Sequence, residues 1–109
     1  MVELIAMVRR TQAQATKAAL NRIGCSGYSV VPVLGRGASH GEFVAQVLFD
    51  LVIDDAHEAK TLEALLHANQ TGACGDGRIY LIEVNETYRI STGERLGRAD
   101  VPPRPAGQR

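Results

Sequence analysis

The 109-residue chain is poor in cysteine: Cys25 and Cys74 stand far apart and show no paired spacing. That excludes a disulfide framework and a paired-cysteine zinc site, and two small buried thiols are expected instead. Neither charge is in excess, because twelve basic and twelve acidic side chains give a formal net charge of zero. No net field therefore draws the chain to nucleic acid or to an anionic membrane, and any anion it binds must be held locally. Long apolar runs are missing as well. The longest, Val47 to Ile53, is interrupted by Asp50 and is far too short to span a bilayer. The N-terminal stretch lacks the apolar core and cleavage site of a signal peptide, so a cytoplasmic protein is expected. The histidines, His40, His57 and His67, have no characteristic nucleophile context, and the latter two are not at the i, i+4 spacing of a shared helical metal site. Neither an enzyme nor a metal site is expected. A chain of this length forms one domain with a modest core, and burying further surface in an oligomer would help it.

What is present reads as alternating strands and helices. VELIAMV is a short β-rich run. Thr11 with Gln14 makes a capping box, and Thr16, Ala19, Leu20 and Ile23 form one apolar helical stripe that Gly24 should close. Tyr28 to Leu34 predicts a second strand, with Pro32 pointing to a sheet edge or a bulge. GRGASHGEF reads as a loop, and Val47 to Ile53 as a third strand. Asp55 with Glu58 should cap a second helix, whose Ala59, Leu62, Leu65, Leu66 and Asn69 keep helical spacing. Capping and the helix dipole account for the Asp54, Asp55 and Glu58 cluster without acid/base chemistry. Arg78 to Ile82 and Thr87 to Ile90 supply a fourth strand and a short fifth. The order β-α-β-β-α-β predicts an α+β sandwich of the split βαβ plan: an antiparallel sheet with both helices on one face. The other face needs cover, which a second subunit would provide. Residues 95–109 carry three prolines and four arginines with scarcely any large apolar residue, and are expected to be a flexible tail.

Two glycine-rich loops hold the functional interest. In TGACGDGRIYL, glycines Gly72, Gly75 and Gly77 let the backbone take positive φ and gather N–H groups into a concavity suited to phosphate, although an ordinary Asp-Gly turn looks the same locally. GRGASHG, Gly35 to Gly41, has neither the spacing of a dinucleotide fingerprint nor the Gly-Lys-Ser/Thr of a P-loop. In this topology both loops can reach the rim of the sheet. Arg36, Arg78 and Arg89 would then bring guanidinium forks to phosphate oxygens, which suits a nucleotide.

TGACGDGRIYL followed by YRISTGE, Tyr88 to Glu94, resembles the signature of the PII signal-transduction proteins, where Thr-Gly-x-x-Gly-Asp-Gly-Lys precedes a strand and Arg-x-x-Thr-Gly-Glu follows it. The similarity continues through ALNRIGCSGYSV and the GRG that opens the next loop, and it spans residues 1–94. The resemblance implies a ferredoxin-like fold, a homotrimer, and adenine nucleotide (ATP, ADP or AMP) bound in clefts between subunits. Gly27, Ser29, Gly35, Arg36 and Gly37 would line the nucleotide, with Val52 near the adenine. Gly75, Asp76, Gly77 and Arg78 would wrap the phosphates, and Arg89 would reach in from a neighbour. Residues 35–46 would form the protruding loop that docks on a transporter or metabolic enzyme, with Ser39, His40, Gly41 and Gln46 facing a second ligand.

The departures carry expectations of their own. The protruding loop is short and has no tyrosine, so uridylylation there is not available. Arg78 stands where the family has lysine. Ser39 replaces the glutamine that helps to hold magnesium and 2-oxoglutarate, so a role for Mg²⁺ stays open. Gln46 replaces the lysine that pairs with that metabolite's carboxylate. Ser91 replaces a second phosphate-binding arginine, which should weaken ATP relative to ADP or AMP by roughly 1 to 3 kcal/mol. A regulator of nitrogen metabolism that does not read 2-oxoglutarate in the usual way is the leading expectation. Alternatives are the carboxysome-associated PII-like type, linked to bicarbonate, and a CutA-like trimer binding metal through His40 with Cys25 or Cys74. An acylphosphatase would use Arg9 or Arg10, but the TQAQ that follows makes no phosphate-cradling loop.

Overall fold

A computed structural model describes residues 1–37 and 41–97. Ser39, His40 and the tail from residue 98 onward lie outside them. The chain runs β1 (Val2–Arg9), a 3-10 turn (Arg10–Gln12), α1 (Ala13–Arg22), β2 (Ser29–Gly35), β3 (Val44–Ile53), α2 (Asp55–Asn69), β4 (Gly77–Glu83), β5 (Thr87–Tyr88) and β6 (Arg95–Gly97). The first four strands form one sheet in the order β2-β3-β1-β4, every neighbour antiparallel. This is the ferredoxin-like sandwich. Pro32 lies on the edge strand β2, where a missing N–H is tolerated.

Alternation along the strands decides the core. Leu4, Ala6 and Val8 of β1 and Val47, Phe49, Leu51 and Ile53 of β3 are buried together with Leu20 and Leu65 of the helices. The opposite face carries Glu3, Ile5, Met7 and Arg9 beside Gln46, Leu48, Asp50 and Val52, and on β4 Arg78, Tyr80 and Ile82. Its β4 side is open, with Tyr80 and Ile82 exposed.

The helices begin differently from expectation. Thr11 falls inside the 3-10 turn, where the Ala13 N–H bonds to the Arg10 carbonyl, and the capping box does not form. Gln12 instead donates from Nε2 to the Ala68 carbonyl at 3.0 Å, tying the start of α1 to the end of α2. The predicted stripe of α1 holds, with Thr16, Ala19 and Leu20 buried. Gly24, at φ +80°, closes the helix in a Schellman turn: its N–H bonds to Asn21 and that of Cys25 to Leu20. In α2 Asp54 occupies the N-cap without a side-chain bond, and Asp55 instead takes the N-terminal ammonium at 2.6 Å. The buried line of α2 is Thr61 and Leu65, while Leu66 is exposed, so the helix is rotated from the expected stripe. The wide apolar spacing fits more than one face, and Thr61 is buried because its hydroxyl donates back to the His57 carbonyl at 2.8 Å.

Two further elements depart from the reading. The fifth strand ends at Tyr88, and Arg95–Gly97, assigned to the tail, forms a strand paired with it. Cys74 is exposed rather than buried, whereas Cys25 packs against the core.

Candidate functional site

The loop between α2 and β4 is organised around its own aspartate. The Asp76 carboxylate accepts N–H bonds from Thr71 at 2.6 Å and Gly72 at 3.0 Å, and a bond from the Thr71 hydroxyl. Thr71 Oγ1 in turn accepts the Ala73 N–H, and the Asp76 N–H closes back on the Ala73 carbonyl. Those donors, with the Arg9 charge, hold the Asp76 carboxyl below the usual aspartate range, so the anchoring it provides is present above that range and is lost as pH falls through the lower folded value. Gly72 and Gly77 take positive φ, +89° and +112°, as the glycine spacing suggests. Gly75 does not; a Cβ there would sit 2.9 Å from Arg9 Nη2.

Arg9, considered in the sequence only for an acylphosphatase, was not expected at this loop. Its Nε donates to the Gly75 carbonyl at 2.8 Å, and its Nη2 lies 3.3 Å from Asp76 Oδ1. The period-2 alternation of β1 already places Arg9 on the face of Glu3, Ile5 and Met7. What sequence does not reveal is that the loop packs against that end of the strand. Below the loop a cleft of about 490 Å³ opens between α2 and β4, lined by Leu62, Leu66, Ile79 and Leu81 together with Asp76 and Arg78.

Pairing across the sheet sorts the expected residues into two groups. Gln46 lies opposite Arg9 and Val33, and Arg78 opposite Met7. Gly35 belongs here too, since a Cβ on it would meet Gln46 Oε1. Gly75, Asp76, Gly77, Arg78, Gly35 and Gln46 thus gather at the end of the open face where β2 ends and β3 begins. Arg36 lies just past β2, its Nε donating to the Gly41 carbonyl at 3.3 Å, and Gly37 is exposed beside it. The other group is at the far end: Ser29 opposite Asp50, and Val52 opposite Glu3. Gly27, just before β2, donates its N–H to the Cys25 thiol, partly opposing the burial that pushes that thiol's pKa up. The edge strands β2 and β4 are separated by three strand spacings, roughly 14 Å. Ser29 and the Gly75–Arg78 loop therefore do not meet within one chain.

Arg89 lies just past β5 rather than within a strand. Its N–H bonds to the Glu94 carbonyl and its carbonyl accepts from Gly93, which makes the tight turn carrying Ser91. Its Nε is buried without a hydrogen-bond partner, alone in this among the described residues. On the same face, the Glu3 carboxyl is pushed above the usual range by its hydrogen bond to Asp50, then by burial and by the Asp50 charge. Among the described residues no three metal-binding side chains converge.

Two helices on one face of a four-stranded antiparallel sheet, with an anchored glycine loop at its edge, define a ferredoxin-like domain. The model of the nitrogen regulatory protein P-II family matches residues 1–94, and the chain belongs to that family. It is 34% identical to the nitrogen regulatory protein P-II of Rhodospirillum rubrum, covering 91% of this chain and 99% of that one. It is 31% identical to nitrogen regulatory protein P-II 2 of Methanothermobacter thermautotrophicus, over 86% and 92%. Among solved structures, Arabidopsis thaliana PII bound to citrate superposes with a TM-score of 0.74 at 31% identity, covering 86% and 83%. The family consists of regulators of nitrogen metabolism rather than enzymes.

Proposed function

We propose that this chain is a PII-type signalling protein that binds adenine nucleotide between the subunits of a homotrimer and, in the cytoplasm, regulates a partner protein of nitrogen metabolism. The observation that carries the reading is the loop Thr71–Arg78, pre-shaped around Asp76 and presenting exposed Gly77 and Arg78 at the end of the sheet where β2 ends. A phosphate chain gains there from the Arg78 guanidinium, and Arg36 and Gly37 stand close by. Ser29, Val52 and Gly27 form the adenine side. Because they stand at the far end of the sheet from the phosphate side, a neighbouring copy is needed to bring the two together. The exposed Tyr80 and Ile82 give that copy an apolar surface to cover, and the buried, unpaired Arg89 Nε is a donor in want of an acceptor. Ser39, His40, Gly41 and Gln46 remain the candidates for a second, small anionic ligand, and neither nucleic acid nor a resident metal is part of the reading.

Calorimetric titration with ATP, ADP and AMP, each with and without 2-oxoglutarate or bicarbonate, tests it. Micromolar binding of an adenine nucleotide that is lost in Arg78→Ala is expected, with ATP no tighter than ADP and no response to 2-oxoglutarate. Absence of binding by all three nucleotides would overturn the reading.

A further inference from the structure

The loop raises an electrostatic difficulty. It is folded around an anion, the Asp76 carboxylate, and is asked to receive a second one. Two like charges within a few ångströms oppose each other unless a cation offsets the first. The Gly75 carbonyl, in the middle of the loop, is a further negative dipole end. Both are met by one side chain: Arg9 takes the Gly75 oxygen at 2.8 Å through Nε and the Asp76 carboxylate at 3.3 Å through Nη2.

We propose that Arg9 is the positioning residue of the phosphate loop: anchored on β1, its guanidinium fixes the loop's shape and cancels the Asp76 charge, so that a nucleotide's phosphates can bind. The inference rests on the nucleotide reading and adds the residue that makes the loop receptive. β1 is a rigid mount, paired with β3 from Val2 to Arg9 and with β4 from Val2 to Val8. The seat is built into the sequence at a second position, because Gly75 has no positive φ to explain it and its missing side chain is what leaves room for Arg9 Nη2. One nitrogen of the planar group donates to the carbonyl while another stands at ion-pair distance from the carboxylate, an arrangement that a single lysine ammonium cannot repeat in the same geometry.

The test compares the wild-type protein with Arg9→Gln, Arg9→Lys and the double variant Arg9→Gln with Asp76→Asn. Amide hydrogen exchange at Thr71 and Gly72 without nucleotide reports the loop, and titration with AMP, ADP and ATP reports binding. Arg9→Gln is expected to speed exchange at both amides and to weaken ATP roughly tenfold to a hundredfold, the worth of one charged hydrogen bond, with a smaller loss for AMP. Arg9→Lys should recover the charge effect on ATP but not the slow exchange. The double variant should recover part of the ATP affinity, since the uncompensated carboxylate is gone and the asparagine oxygen still accepts; a merely structural role would make it worse. Unchanged exchange in Arg9→Gln overturns the proposal, whether affinity is kept or, through direct contact with the phosphates, lost. Equal losses for AMP and ATP overturn its electrostatic half. Failure of the nucleotide reading looks different: wild type and variants alike bind no nucleotide, and an Arg9→Gln loop that still exchanges faster upholds Arg9 as its anchor.

Discussion

Gly77 and Gly75 are both glycines of one loop, yet they are glycines for different reasons. Gly77 sits at φ +112°, and a Cβ on it would come within 1.9 Å of the Met7 carbonyl oxygen, which belongs to a central strand and cannot move away. Gly75 lacks a positive φ, and a Cβ there meets only the tip of the Arg9 side chain. Gly77→Ala is therefore expected to lower the unfolding free energy by about 1 to 3 kcal/mol in urea denaturation, and Gly75→Ala to cost less while displacing Arg9. Equal costs for the two would contradict this assignment. From sequence the two glycines look alike, because spacing shows where a backbone turns but not what stands beside it.

The helices show how far periodicity reaches. In α1 the apolar stripe, the closing glycine and the buried Thr16 agree with the local pattern, because few alternative faces exist on so short a helix. In α2 the pattern Ala59, Leu62, Leu65, Leu66 and Asn69 is wide enough to allow several rotations. The sheet selects the one that buries Thr61 and Leu65, and Asn69 then bonds across to Thr16 at 3.1 Å. Leu65→Ala is expected to cost about 2 to 5 kcal/mol, as for a fully buried leucine, whereas Leu66→Ala should stay within about 0.5 kcal/mol in the isolated fold. Chemical denaturation of the two variants distinguishes this rotation from one in which both leucines are core.

The open face governs the molecule as a whole. It sets Ile5, Met7, Leu48, Val52, Tyr80 and Ile82 around one carboxyl pair, Glu3 and Asp50. A raised Glu3 pKa means that the folded state holds the proton more tightly than the unfolded state does. Stability from this group is thus greatest at acid pH, and a cost sets in as pH rises through the ordinary glutamate value toward the raised one. Glu3→Gln should then raise the melting temperature at about pH 8 and change it little near pH 4. Sedimentation should show firmer self-association of the variant at the higher pH. A benefit of the same size at both pH values would remove the carboxyl pair from the account.

Strand alternation, the closing Gly24, the edge proline and the glycine-aspartate loop were legible in the sequence, since each depends on residues within one or two turns of one another. So was the family, which shows itself in two short motifs and the order of elements. The Arg9 contact was not, because it joins residues 66 apart in the chain. Nor was the partition of the expected ligand residues between opposite ends of the sheet. Both follow from which strands lie side by side, and that is settled by burying Leu4, Phe49, Leu20 and Leu65 in one shared core, to which β1, β3 and both helices contribute and in which none can be placed alone.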